Sequence, residues 1–162
     1  MHPHAMRRAR QQLDRKDCLA VLDRGTSGVL ALSGPDGYPY AVPLSYVHQD
    51  GKLWFHSAKT GHKLEAIAHC GKASFCVIDR DQVVPQEFTT YFRSVIAFGT
   101  IRVLEDPQQI RTAIRTLSDK YSPVGEELRE AEIDRFWSAL TVLELEIEHL
   151  SGKQAIELCR GN

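Results

Sequence analysis

The residues best suited to chemistry lie in one stretch, Leu53–Lys63, reading LWFHSAKTGHK. Its apolar opening, Leu53-Trp54-Phe55, has the character of a strand, and small and polar residues then turn the chain into a helix. Around that turn sit His56, Ser57, Lys59, His62 and Lys63. Thr60 stands where a side chain can cap the helix, and Gly61 leaves the backbone bare at the first helical position. A helix start presents free N–H groups and the positive end of the dipole, so beside cations it suits an anion, a phosphate above all. The same residues also fit a solvated loop and helix with lysines in water, and spacing alone does not separate the two. A second feature precedes the stretch. Pro43 lies inside the strand-like run Tyr38–His48. Proline lacks a ladder donor and is confined to edges and bulges. Either Pro43 marks an edge kink, or the Val42–Ser45 backbone faces a ligand, with Trp54 helping to bound a flat ring.

Other chemistries are poorly represented. No GxSxG, Walker A or GxGxxG pattern occurs. Ser57 near two histidines is better read as a hydrogen-bonding group than as a nucleophile. His56, His62 and His69 are weak metal candidates: His62 and His69 lie about two helical turns apart, and no HExxH frames them. No metal is expected.

At 162 residues the chain is expected to form one domain, 1–162, with residues 1–12 as a mobile N-terminal segment carrying His2 and His4. A net charge of −1 argues against nucleic-acid binding, which needs a basic face. No apolar run approaches the roughly 20 residues of a membrane span. Cys18, Cys70, Cys76 and Cys159 lack CxxC spacing and no secretory h-region follows the basic start. Free, mostly buried thiols and a cytoplasmic location are therefore expected.

The elements that must position the site follow from pattern. Asp14 caps a helix to Arg24, which Gly25 ends. Gly28–Leu32, Tyr38–His48 and Leu53–Ser57 form an antiparallel meander, with turns at Gly34–Gly37 and at Asp50-Gly51. A helix spans Gly61–Cys70. Ala73–Ile78 is a strand that Asp79-Arg80-Asp81 breaks, and Val83–Glu87 is a loop. Tyr91–Leu104 is a long strand in which Gly99 marks a bulge. Helices follow at Asp106–Tyr121 and Glu126–Leu140. Thr141–His149 alternates strictly, predicting one core face and one wet face, and residues 151–155 are a turn or tail. An α+β fold built on an antiparallel barrel accommodates these elements best.

Three pieces in order carry a family resemblance. GVLALSGPDGYPYAVPLSYVHQDGKLWFHSAKTGHKLEAI, YFRSVIAFGTIRVLED and LELEIEHLSGKQAIE together resemble the pyridoxamine 5′-phosphate oxidase-like FMN-binding split barrels, and within them the nitroimidazole-resistance (Nim-type) branch. The resemblance implies a six-stranded antiparallel split β-barrel with flanking helices, and a homodimer with FMN at the subunit interface. It implies that Val42, Pro43, Leu44 and Ser45 lie along the flavin ring, that His56, Ser57 and Ala58 end the strand beside it, and that Lys59, His62 and Lys63 grip the phosphate. Tyr91 and Ser94 match a YxxS of the later strand, with Arg93 nearby. The implied activity passes electrons from a reduced nicotinamide, NAD(P)H, to a small acceptor such as a nitroaromatic. His56 is then a candidate catalytic proton donor, since imidazole titrates near neutral pH, or a hydrogen-bonding partner of the flavin. The arginine-rich C-terminal substrate motif of the true oxidases is missing from SGKQAIELCRGN, which argues against vitamin B6 oxidation. A B6-type oxidase and a non-catalytic flavin or haem carrier stand as the alternatives.

Overall fold

The computed structural model describes residues 6–159; His2 and His4 lie outside them. Seven antiparallel strands form one sheet: β1 (Ser27–Ser33), β2 (Pro39–Ser45), β3 (Val47–Gln49), β4 (Lys52–Ser57), β5 (Lys72–Val84), β6 (Thr89–Val103) and β7 (Thr141–Gln154). Four α-helices flank it: α1 (Arg15–Arg24), α2 (His62–His69), α3 (Pro107–Tyr121) and α4 (Glu126–Phe136). The strand order is β2-β1-β5-β6-β7-β4-β3.

The two edge strands, β2 and β3, are consecutive in the chain and separated by Tyr46 alone. The sheet therefore curls until its two edges approach at that residue without pairing, an open arrangement consistent with a split barrel. Seven strands appear in place of the expected six because the run Tyr38–His48 breaks in two at Tyr46. The break has a local cause. The Tyr46 N–H donates to the Tyr121 hydroxyl at 2.9 Å, and that hydroxyl lies 2.6 Å from the Tyr46 carbonyl oxygen, so α3 takes both backbone groups out of the ladder. The Tyr46 ring turns into the core, fully buried, where its hydroxyl donates to the Leu22 carbonyl at 2.7 Å. The expected meander survives with this corner in it: β2 pairs with β1, and β3 with β4.

The barrel interior holds Leu30, Phe55, Phe75, Val95, Leu143 and Leu145, closed at one side by Cys18, Val21 and Leu22 of α1. Asp14 caps α1 by accepting from the Asp17 N–H at 2.7 Å, as expected. Asp106 caps α3 in the same way, accepting from Gln108 and Gln109. A second cluster, with Val47, Trp54, Leu104, Ala113, Leu117 and Val142, seals α3 against the outer face of β4 and β7.

Several expected boundaries move. The Asp79–Asp81 cluster does not end β5; a register shift between Ile78 and Arg80 absorbs it, and the strand runs on to Val84. Arg24 and Arg93 satisfy the Asp79 carboxylate there. Residues 151–154 continue β7 instead of forming a tail, held opposite Arg93–Ile96. Residues 141–145 are buried on both faces, so the wet face expected of this strand is covered by α3 at its start. Residues 9–11 form a short 3-10 turn, and the Leu13 N–H donates to the Gly152 carbonyl at 2.9 Å. Only Cys18 among the thiols is buried; Cys70, Cys76 and Cys159 are half-buried, and all four are free.

Candidate functional site

The end of β4 and the start of α2 bring the chemical residues together. Neighbours on a strand alternate in direction, so His56 and Ser57 leave β4 on opposite sides. Ser57 turns toward α2, where the Lys63 ammonium donates to its hydroxyl at 3.1 Å. Burial pushes the Lys63 ammonium below its ordinary value of 10.5. His62 meets the ring of Tyr40 edge-on, with 4.7 Å between centroids. Ala58 and Lys59 are exposed in the turn between.

The start of α2 differs from expectation in one respect. Thr60 does not cap it. Gly61 is the N-cap, at φ 125°, a left-handed value that glycine tolerates, and no side chain caps the first turn. The side-chain space at Gly61 is open. An uncapped helix start, bare at its first residue and flanked by Lys59, His62 and Lys63, has the donor chemistry of a phosphate site.

β2 supplies the second element. It is an edge strand: β1 occupies one side, with Val29 opposite Pro43 and Gly28 opposite Leu44. Among the described residues no strand pairs with its other side. Pro43 is therefore where a proline is tolerated, and the outward backbone groups of Val42–Ser45 are free for a ligand. Val42 and Leu44 pack on the barrel core while Pro43 and Ser45 face outward. The residues present thus fit a flavin: cationic donors and helix N–H groups for its phosphate, and a free strand edge for its ring.

Tyr91 and Ser94 are not brought to this place within one chain. Both lie on β6, three strands from β2. Three residues apart, they face opposite sides of the strand. The Tyr91 hydroxyl donates to Glu87 at 2.7 Å, and Arg80 lies over its ring. Ser94 sits opposite Ile78 and Lys153.

A cleft of about 740 Å³ opens on the His56 side of β4. Ser45 and His56 line it, and the α3–α4 hairpin supplies the remainder, including Leu117, Tyr121, Arg129 and Phe136. None of these helical residues was legible as part of a site. Their pattern is that of an ordinary amphipathic hairpin, and only its placement over the ends of β2 and β4 gives them a role.

Comparison with known proteins agrees with this architecture. Residues 14–154 match the pyridoxamine 5′-phosphate oxidase family. No curated protein matches the chain. Among solved structures, a candidate 5-nitroimidazole antibiotic resistance protein from Bacteroides thetaiotaomicron aligns with TM-score 0.73 at 16% identity, over 95% of this chain and 96% of that one. An FAD-binding protein from Mesorhizobium loti aligns with TM-score 0.67 at 26% identity, over 90% and 97%. An FAD- and haem-binding protein from Mycobacterium smegmatis aligns with TM-score 0.73 at 26% identity, over 90% and 73%. The match spans the barrel from the cap of α1 to the end of β7, and on it the chain belongs to the pyridoxamine 5′-phosphate oxidase family.

Proposed function

We propose that this chain is a homodimeric FMN-binding oxidoreductase that passes electrons from a reduced nicotinamide to a small-molecule acceptor. The observation that carries the reading is the uncapped start of α2 beside the Lys63–Ser57 pair, joined to the free-edged strand β2 by the contact of His62 with Tyr40. Lys63 and the α2 N–H groups offset the phosphate charge. The Val42–Ser45 backbone offers hydrogen-bond partners to the ring edge. His56 stands exposed at the end of β4 and can hold a proton toward an acceptor. Bound flavin would supply the redox chemistry.

A second copy is favoured by what one chain leaves uncovered. The β5–β6 hairpin extends beyond the reach of β1 and β7, which pair with it only from residues 73–76 and from Arg93 onward. Its tip carries Val83 and Phe88, 68% and 97% exposed. A two-stranded ribbon is marginal alone in water. The outward face of the sheet also shows a depression of about 520 Å³ that includes Ala31, Ser74 and Phe98. In such a dimer one of Tyr91 and Ser94, which face opposite sides of β6, would come to the ligand from the second copy.

Purification tests the reading directly. A yellow protein whose heat-released flavin co-elutes with FMN, and a dimeric mass by light scattering, are expected. Release of FAD would favour the cofactor named for the two 26%-identical proteins. A Soret band, or a colourless protein that FMN fails to reconstitute, would overturn the reading. Turnover of reduced nicotinamide with nitro compounds, quinones and pyridoxamine phosphate then separates catalysis from binding.

Lys63→Ala should weaken FMN binding by about 2 kcal/mol, roughly thirtyfold, as for a lost charged hydrogen bond; unchanged affinity in a flavin titration removes Lys63 from the site. The pH dependence has a definite sign. The phosphate needs the charged ammonium, and burial lowers the pKa of Lys63. Affinity should therefore fall as pH rises through that lowered value, below 10.5, and Lys63→Ala should abolish that limb. His56→Ala should slow acceptor reduction while leaving FMN affinity within about twofold, whereas equal turnover would leave His56 a purely structural role.

A further inference from the structure

Most of the large hydrophobic side chains exposed among the described residues fall into three patches. Tyr121, Val124, Leu128 and Phe136 line the cleft beneath the α3–α4 hairpin. Val83 and Phe88 stand at the end of the β5–β6 hairpin. Val29 and Ile78 lie on the outward face of the sheet, where Val29 opposes Cys76 and Ile78 follows two residues on. The cleft is left open by the way its walls are tied. α4 buries Ile133 alone. Ion pairs hold it to α3: Arg111 with Glu130 and Asp134 at 2.7 and 2.6 Å, Arg115 with Glu130 at 2.6 Å, and Arg129 with Asp119. These ties fasten the helices to each other and leave apolar side chains around an unfilled space of about 740 Å³.

Phe88 is the converse, a side chain without a place. It is 97% exposed. Its φ is 52°, and its N–H donates to the Pro85 carbonyl at 3.2 Å, closing the 3-10 turn Pro85–Glu87. Glycine or asparagine adopts that left-handed conformation at less cost than a bulky residue. The turn therefore gains nothing from the phenylalanine, and the barrel does not use it. The ribbon beneath, paired from Val84–Thr89 back to Arg80–Arg93, holds the ring clear of its own chain.

A second copy supplies both halves. Ser45 and His56, at the ends of β2 and β4 that flank the proposed ligand, border the cleft. Tyr91 follows Phe88 by three residues, about 10 Å along an extended strand. A neighbour whose Tyr91 reaches the ligand thus brings its Phe88 to the mouth of this cleft. Size points the same way. One aromatic ring buries roughly 150–250 Å², well short of the roughly 800 Å² per partner of a stable pair. A two-fold axis doubles the seat and apposes the outward sheet faces, so all three patches are covered at once.

We infer that the Phe88 ring of one copy seats in the α3–α4 cleft of a second copy, among Leu117, Leu128, Ile133 and Phe136, with the seat repeated by two-fold symmetry. The inference rests on the homodimer proposed above; the identity of its cofactor does not enter.

Sedimentation velocity of the full chain as purified, across a dilution series, tests it. Phe88→Gly removes the ring at a position whose φ suits glycine. Leu128→Glu puts a charge on the exposed rim of the cleft and keeps a good helix former. Each should raise the dimer dissociation constant at least tenfold while the far-ultraviolet circular dichroism stays native. The decisive sample is their equimolar mixture. A mixed dimer pairs the Phe88 of one variant with the intact cleft of the other and so restores one of the two seats. It should form at concentrations where each variant alone is monomeric. A monomeric native chain, a dissociation constant unchanged in either variant, or a mixture no more dimeric than its components overturns the inference. Flavin content is read on the same samples. A colourless chain with the mixing pattern keeps the seat and sinks the flavin reading; a yellow dimer indifferent to both variants does the reverse.

Discussion

Gly99→Ala is expected to cost about 3 kcal/mol, the upper part of the usual range for forcing atoms into packed structure. At this chain length that corresponds to a fall of roughly 6–12 °C in the thermal midpoint. The β6–β7 register slips between Phe98 and Gly99, passing from the Phe98–His149 pair directly to Gly99–Ile147. The slip presses the two backbones together. A Cβ on Gly99 would sit 1.9 Å from the Glu146 carbonyl oxygen and 2.9 Å from its carbon. Both are backbone atoms of a central strand, so neither can move without breaking the ladder that carries β4, and with it His56 and Ser57. Flavin binding should weaken alongside stability. Gly125→Ala is the matched control: nothing lies within 4 Å of its added carbon and its φ is −59°. Gly125 is also the N-cap of α4, where alanine is the poorer residue, so that change should cost no more than about 1 kcal/mol. Equal midpoints for the two variants would show that the bulge tolerates a side chain.

Glu144→Ala should cost about 3 kcal/mol, the low end for breaking a buried ion pair, because both cationic partners keep part of their hydration. The carboxylate is 4% exposed. It accepts from Trp54 Nε1 at 2.9 Å, Lys52 Nζ at 3.2 Å, and Arg102 Nε and Nη2 at 3.1 and 2.8 Å. Burial pushes this carboxyl up, but the hydrogen bonds from Trp54, Arg102 and Lys52 together outweigh it and hold it below 4.5. A depressed carboxyl pKa contributes stability that is present above the unfolded value, near 4.5, and is lost as pH falls through the folded value. Denaturant midpoints measured from pH 7 downward should show that acid limb in the native protein and a shallower one in Glu144→Gln. Identical acid limbs would show that Glu144 contributes no charged-state stability. Trp54 and His56 share one face of β4, so loss of Glu144 also frees the ring beside the candidate proton donor.

The site was legible where its residues are local. Ser57, Lys59, His62 and Lys63 fall within seven positions, and the strand–turn–helix that gathers them follows from their own pattern. The uncapped start of α2 was not legible, because Thr60 is a good capping residue and only the φ of Gly61 moves the helix start past it. Glu144 was assigned to a wet face by strict alternation, which holds only while one side of a strand meets water; α3 covers the other side here.

Local order came from the chain itself: the capping aspartates at 14 and 106, the Gly99 bulge, the Asp50-Gly51 turn and the apolar periods of α3. These depend on residues within one turn or one hairpin, so their energies are written in short stretches of sequence. Closure of the sheet did not. β2 and β3 read as one strand, and they become the two edges of a curled sheet only because Tyr121, 75 residues from Tyr46, takes both backbone groups of Tyr46 from the ladder. The opening under α3 and α4 likewise depends on ion pairs between helices, whose partners no local period can specify. Tertiary structure therefore decided the free edge of β2 and the cleft beside His56, since both are set by long-range pairing that satisfies buried polar groups.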